Sequence, residues 1–207
     1  MSSKPLLVLG TANRKKGEEL AGLFRDAGFD LRLLADFPDA IEVAEVGATF
    51  AENAALKATE QARHLRRWVL GEDSGLSVDA LDGAPGVFSA RYSGPNATDE
   101  SNNRRLLDQL GDTPAEKRTA CYVCHMTLSD PSGAICAESE GSCPGRILFR
   151  PEGTHGFGYD PLFQPIEHDH SFGLLGPEIK ASLSHRARAA RKMIPAILEL
   201  LNAGQWT

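Results

Sequence analysis

Short apolar runs alternate with helical stripes along the N-terminal half of the chain, and this alternation restricts the fold more than any other feature. Pro5–Leu9 reads as a buried strand. A polar turn follows, then a helix over roughly Lys16–Ala27 whose Leu20, Leu23, Phe24 and Ala27 recur at helical spacing. A second strand falls near Leu31–Leu34, and a helix over Phe50–Arg67 carries Ala54, Ala58, Ala62 and Leu65 on one face. A short strand, Trp68–Gly71, leads into the turn-like Glu72-Asp73-Ser74-Gly75. Past Asp99 a helix bears Leu106, Leu107 and Leu110. Two longer strands, Arg118–Ser129 and Ala134–Ser142, flank the turn Asp130-Pro131-Ser132-Gly133. A last helix starts after Ser184, with Pro195 as an expected kink. Strands and helices that alternate early and are followed by a hairpin specify an α/β fold, a mixed β-sheet flanked by helices.

Size and charge narrow the function classes. The 207 residues suffice for one domain with a real core, and no repeat, low-complexity tract or linker divides them. The net charge of -6 disfavours a nucleic-acid partner, because a phosphate backbone selects a basic surplus. Any polyphosphate ligand must then be met by locally concentrated basic residues. No stretch reaches the roughly 18 apolar residues of a membrane span. The apolar run after Met1 is too short for a signal peptide, so the expected compartment is the cytoplasm, away from any membrane. Cys121 and Cys124 form a CxxC, but on a strand residues three apart point to opposite faces, which argues for packed thiols rather than zinc.

Five segments carry chemistry-bearing residues. Thr11-Ala12-Asn13-Arg14-Lys15-Lys16 stands between a strand and a helix, where unpaired backbone N–H groups suit an anion, although the P-loop pattern is absent. Glu72-Asp73-Ser74-Gly75-Leu76, read as a strand exit followed by a glycine turn, offers hard oxygen ligands for Mg²⁺. Glu45, in the loop before a helix bearing Glu52, Asn53 and Lys57, is a candidate second metal ligand, and Lys57 on the polar side of that helix is a candidate phosphate contact. Gly153-Thr154-His155-Gly156-Phe157-Gly158-Tyr159-Asp160-Pro161 combines glycines that admit a close ligand with aromatics that could stack on a base and an acid that could accept from a ring N–H. In Lys180-Ala181-Ser182-Leu183-Ser184-His185-Arg186, Ser184 is a natural N-cap. Cations in the next turn oppose the helix dipole, which favours a ligand role for them. His168 and His170 lie in a polar loop and read as solvated.

The order of TxNxxK (Thr11–Lys16), EDSGL (Glu72–Leu76), GAPG (Gly83–Gly86), SARYSG (Ser89–Gly94), FGYDP (Phe157–Pro161) and SHR (Ser184–Arg186) resembles the inosine triphosphate pyrophosphatase family from Leu6 to about Leu201. The resemblance implies an elongated, two-lobed single domain over 1–207, a nucleotide cleft between the lobes and a homodimer. It implies Mg²⁺ as cofactor and cleavage of ITP, dITP or XTP to the monophosphate and pyrophosphate. It further implies that Thr11, Ala12, Asn13, Arg14, Lys15 and Lys16 hold the triphosphate, that Asp73 is the catalytic carboxylate, and that Glu45 and Asp73 bind the metal. Ser74 and Lys57 would contact phosphate. Phe157, Gly158, Tyr159 and Asp160, with Lys180, His185 and Arg186, would bind the base. Departures are visible: Phe172-Gly173-Leu174-Leu175 stands where similar sequences carry Phe-Ala-Glu-Leu, so an acid is missing on the base side, the preceding loop Glu167-His168-Asp169-His170 is unusual, and the CxxC is not a feature of the family. The competing readings are a pyrophosphatase for modified pyrimidine NTPs or dUTP, a non-catalytic nucleotide-binding module, and a structural or protein-interaction domain.

Overall fold

The structure, a computed structural model, describes residues 4–206; the part of the leader reading that falls on residues 1–3 lies outside the described residues. Six strands form one sheet in the order β2-β1-β3-β4-β5-β6. They are β1 (Leu6–Gly10), β2 (Asp30–Leu33), β3 (Val69–Val78), β4 (Thr119–Ser129), β5 (Ile135–Ile147) and β6 (Phe163–Pro165). The helices are α1 (Arg14–Phe24), α2 (Phe50–Leu65), α3 (Asp99–Leu110), α4 (Phe172–Leu183) and α5 (His185–Asn202). β1 pairs parallel to both β2 and β3, whereas β6 pairs antiparallel to β5, so the expected mixed sheet is present. The turn between β4 and β5 closes through Asp130, whose N–H donates to the Ala134 carbonyl and whose carboxylate accepts from the Ser132 and Ala134 N–H groups.

The described chain divides into two compact units, neither of them one continuous segment. The first takes the chain up to Asp73, Cys124–Gly141 and the chain from Arg186 onward; the second takes Ser74–Val123 and Ser142–His185. In the first unit, alternation along β1 sends Leu7 and Leu9 to one face and Val8 to the other. Leu7 and Leu9 pack with Leu20 and Phe24 of α1, Leu70 of β3, Cys124, Met126 and Leu128 of β4, and Ala189, Met193 and Ile197 of α5. Val8 packs with Val69 and with Ala62 and Leu65 of α2. The second unit has its own core, in which Leu76, Val78, Leu106, Leu110, Tyr122, Tyr159, Phe163 and Phe172 are buried.

Two readings of local structure are corrected. β3 does not end at Gly71: it runs ten residues through Glu72, Asp73 and Gly75 to Val78. Leu76 and Val78 have a core of their own to enter, so the strand continues and Gly75 makes no turn. The region after the FGYDP loop, read from sequence without a helix, contains α4. It is broken at Gly176 (φ 81°, ψ 175°) and resumes at Pro177, where a missing N–H and a fixed φ suit a first helical turn.

Candidate active site

The first unit gathers two acid–base clusters on opposite faces of β3. Glu72 and Asp73 are consecutive in a strand, so their side chains leave on opposite sides. Glu72, fully buried, takes Arg186 through Nη2 at 2.9 Å and Nε at 3.2 Å. Its other oxygen, Oε2, pairs with Lys16 Nζ at 3.2 Å, while the Cys124 thiol donates to Oε1, the oxygen held by Arg186, at 3.5 Å. Arg186 also donates to Glu19. Burial alone would lower the Arg186 guanidinium, but Glu72 and Glu19 outweigh it and hold the pKa well above its ordinary value. Burial, reinforced by Glu72, pushes the Cys124 thiol well up, so this sulfur stays protonated and acts as a donor.

Asp73, almost fully buried, accepts from Lys57 Nζ at 2.8 Å and from Asn53 Nδ2 at 3.3 Å. The Glu45 carboxylate lies 3.4 Å from the same ammonium. This geometry is made possible by small residues. The Ala54, Ala58 and Ala62 row of α2 faces Gly71 so closely that a Cβ on Gly71 would stand 2.3 Å from the Ala54 carbonyl oxygen and 2.6 Å from the Ala58 nitrogen. With the helix that near the strand, the adjacent row at i, i+4 spacing (Asn53, Lys57, Gln61) is buried too. Lys57 is therefore not on an exposed polar face, as its sequence context suggests, but against a carboxylate. Burial works to lower its pKa; Asp73, with Glu72 and Glu45, outweighs burial and raises it. The loop carrying Glu45 is fastened by Gly47, whose N–H donates to Asn53 Oδ1 at 2.8 Å. Glu52 is a capping residue: Thr49 Oγ1 accepts from the Glu52 N–H, and the Glu52 carboxylate accepts from the Thr49 N–H.

At the start of α1, Asn13 is the N-cap and accepts from the Lys16 N–H at 3.2 Å, while Thr11 Oγ1 accepts from the Asn13 N–H at 3.3 Å. Ala12, Asn13, Arg14 and Lys15 are exposed there, and Arg14 pairs with Glu18. The first turn contains no acid, so its dipole and its cations both favour an anion.

The second unit holds the aromatic loop. Asp160, fully buried, is its organiser: Oδ2 accepts from the Phe157 N–H at 2.9 Å and from Lys180 Nζ at 2.6 Å. Gly156 must be glycine here, because at φ 76° a Cβ would lie 2.0 Å from that oxygen. Lys180 Nζ also sits 4.4 Å from the centre of the half-exposed Phe157 ring. The Asn103 side chain donates to the Gly158 carbonyl at 2.9 Å. Tyr159 is a core residue whose hydroxyl donates to the Ser89 carbonyl at 2.8 Å, and burial raises its pKa. Of the two aromatics read as base platforms, Phe157 is the one with an accessible face. Asp160, read as an acceptor for a ring N–H, already accepts from three protein donors, the third being the Tyr122 hydroxyl on Oδ1. His185 is buried and stacks on Tyr122 with ring centres 4.6 Å apart at 9°.

The structure thus brings Glu45, Lys57 and Asp73 together in one cluster, Lys16 and Arg186 around Glu72 in another, and Phe157, Asp160 and Lys180 in a third. Arg186, grouped with Lys180 and His185 in the sequence reading, belongs to the first unit and is engaged by carboxylates, which offsets the cost of a cation in the first turn of α5. Ser74 opens the second unit, half-buried. Sequence reasoning assigned no site roles to Asn53, Cys124 and Tyr122, and it offered Glu72 with Asp73 as a metal-ligand candidate, whereas Glu72 is taken by Arg186 and Lys16. Asn53 had a signal, standing four residues before Lys57 beside an alanine row. Among the described residues no group of three or more His, Cys, Asp or Glu side chains forms a metal cage. Glu45 and Asp73 converge on the Lys57 ammonium, and two such carboxylates could together hold a divalent cation.

Solved structures share this fold. The Ham1 protein of Staphylococcus aureus superposes with a TM-score of 0.82 at 36% identity, covering 94% of this chain and 98% of that one. A HAM1 protein from Coxiella burnetii gives 0.85 at 34% identity, with 94% and 99% covered. The fold class is that of these α/β proteins. A relative from Rhodopirellula baltica named dITP/XTP pyrophosphatase is 52% identical over 197 residues, 95% of each chain. The Ham1 family's sequence model matches residues 7–196, and the chain belongs to the Ham1 family.

Proposed function

We propose that this chain hydrolyses non-standard purine nucleoside triphosphates (dITP, XTP and ITP) to the monophosphate and pyrophosphate, with Mg²⁺ as cofactor. The observation that carries the reading is Asp73, a buried carboxylate fixed by Lys57 and Asn53 beside Glu45. Glu45 and Asp73 would hold Mg²⁺, which when bound neutralises charge on the phosphates. Thr11, Asn13 and the amides of the following turn, with Ala12, Arg14, Lys15 and Lys16 around them, receive the triphosphate. Ser74 and Lys57 add phosphate contacts. Asp73 orients the attacking water and takes its proton, one P–O bond forms, and the bond between the α phosphate and the pyrophosphate breaks. Lys57, held protonated, fixes the position of the Asp73 carboxylate for that task.

In the second unit, Phe157 stacks on the base, and the Gly158–Asp160 backbone, closed over Tyr159, shapes its surroundings. Lys180 and His185 donate to the 6-oxo group that inosine and xanthine carry where adenine carries an amino group. An amino group there sets donor against donor, which disfavours ATP. Arg186 serves first to fix Glu72. The enzyme works as a homodimer in the cytoplasm, as one domain over 1–207, without nucleic acid or membrane. The acidic net charge of -6 supports the exclusion of nucleic acid; among the described residues no helix is long and apolar enough to cross a membrane.

The test is pyrophosphate release from ITP, XTP, dITP, ATP, GTP, dUTP and dCTP with wild type and Asp73→Asn. Release from ITP, XTP and dITP well above the others, falling about 100-fold or more in the variant, is expected. Activity confined to pyrimidines would overturn the base assignment, and unchanged activity in the variant would overturn the role of Asp73.

A further inference from the structure

We propose that Tyr122 is a positioning residue that sets base selectivity, an inference resting on the reading of the Phe157–His185 region as the base site. Tyr122 touches two separate parts of that region. Its ring lies flat against His185, with centres 4.6 Å apart and planes at 9°. Its hydroxyl donates to Asp160 Oδ1 over 3.5 Å, leaving Oδ2 to Lys180 and the Phe157 N–H. The ring is itself held, 4.5 Å from Phe163, on a strand of the second core. One rigid side chain with two torsions therefore fixes the plane of His185 and the orientation of the carboxylate that places Lys180 and Phe157. Phenylalanine at this position would keep the stack and lose the link to Asp160, so the two contributions are separable.

Selectivity is where such a residue acts. A 6-oxo purine gains over a 6-amino purine only if the donors are held at fixed positions. If Lys180 and His185 can shift, they can avoid an amino group as well as meet an oxygen. The Asp73 cluster belongs to the other unit.

The experiment compares wild type, Tyr122→Phe and Tyr122→Leu. The readouts are kcat and KM for ITP and ATP, the inhibition constant of inorganic pyrophosphate, and the melting temperature. The Phe variant should raise KM for ITP about three- to tenfold, the range of one hydrogen bond, with kcat within about twofold. It should lower the ITP-over-ATP ratio of kcat/KM by a similar factor. The Leu variant should lower that ratio further, and pyrophosphate inhibition should stay constant in both. A ratio unchanged in both variants overturns the proposal, as does a loss of kcat and pyrophosphate binding in parallel with melting temperature, which marks a merely structural residue. If wild type shows no preference for ITP over ATP, the reading of the base site fails instead, and this outcome is visible before any variant is compared.

Discussion

Lys57 shows how a residue's role depends on what is packed against it. Its ammonium and the Asp73 carboxylate are both nearly excluded from water at 2.8 Å, so removing one leaves a buried charge without its partner. Lys57→Met should cost about 3–5 kcal/mol of stability by chemical denaturation at neutral pH. The pH dependence has a defined sign. The folded-state pKa is raised above the ordinary 10.5, so the pairing contributes fully below that value and is lost as pH rises through the folded-state pKa. From neutrality upward, the gap between wild type and variant should stay constant to about the ordinary lysine value and narrow above it. A gap that narrows instead between pH 7 and 9 would contradict the raised pKa. Residue types were legible in the sequence here; partners were not. Lys57 and Asp73 are sixteen positions apart, and only the packing of α2 on β3 joins them.

At the scale of the element, the decisive contact is α2 against Gly71. Its alanine row was legible from spacing, as were both ends of the helix to within two residues. The consequence of facing a glycine was not, because it requires knowing which strand lies beneath. Gly71→Ala puts a methyl into the helix backbone, and the helix must move away. We expect a loss of about 1–3 kcal/mol in stability together with a drop in kcat, since the same movement withdraws Asn53 and Lys57 from Asp73. A variant as stable and active as wild type would show that the close approach does not position the site. β3 and α4 were misread for a shared reason: glycine and proline in the sequence mark permission to turn, not an obligation. Gly75 stays extended because Leu76 and Val78 are buried beyond it. Gly176 does break α4, but Pro177 restarts it.

For the whole molecule, the α/β class and mixed sheet followed from the alternation of hydrophobic periods. The division into two units did not, since each core draws on segments far apart in the chain. Leu9 meets Ala189 in one core, and Leu76 meets Phe172 in the other. The proposed homodimer is a property at this scale, and light scattering on the purified protein should return twice the chain mass of 22.3 kDa across dilution. A mass of one chain at every concentration would reject it.

The interleaving of the units has a consequence for how such an enzyme changes over generations. The chain passes from one unit to the other at Asp73, Val123, Gly141 and His185, so the part that carries Phe157 and Lys180 is not a heritable block. No single recombination can replace it while leaving the part that carries Asp73 intact. A chimera that exchanges this unit must carry Ser74–Val123 and Ser142–His185 together, because both supply the same core: Tyr122 from the first is buried with Phe163 and Phe172 from the second.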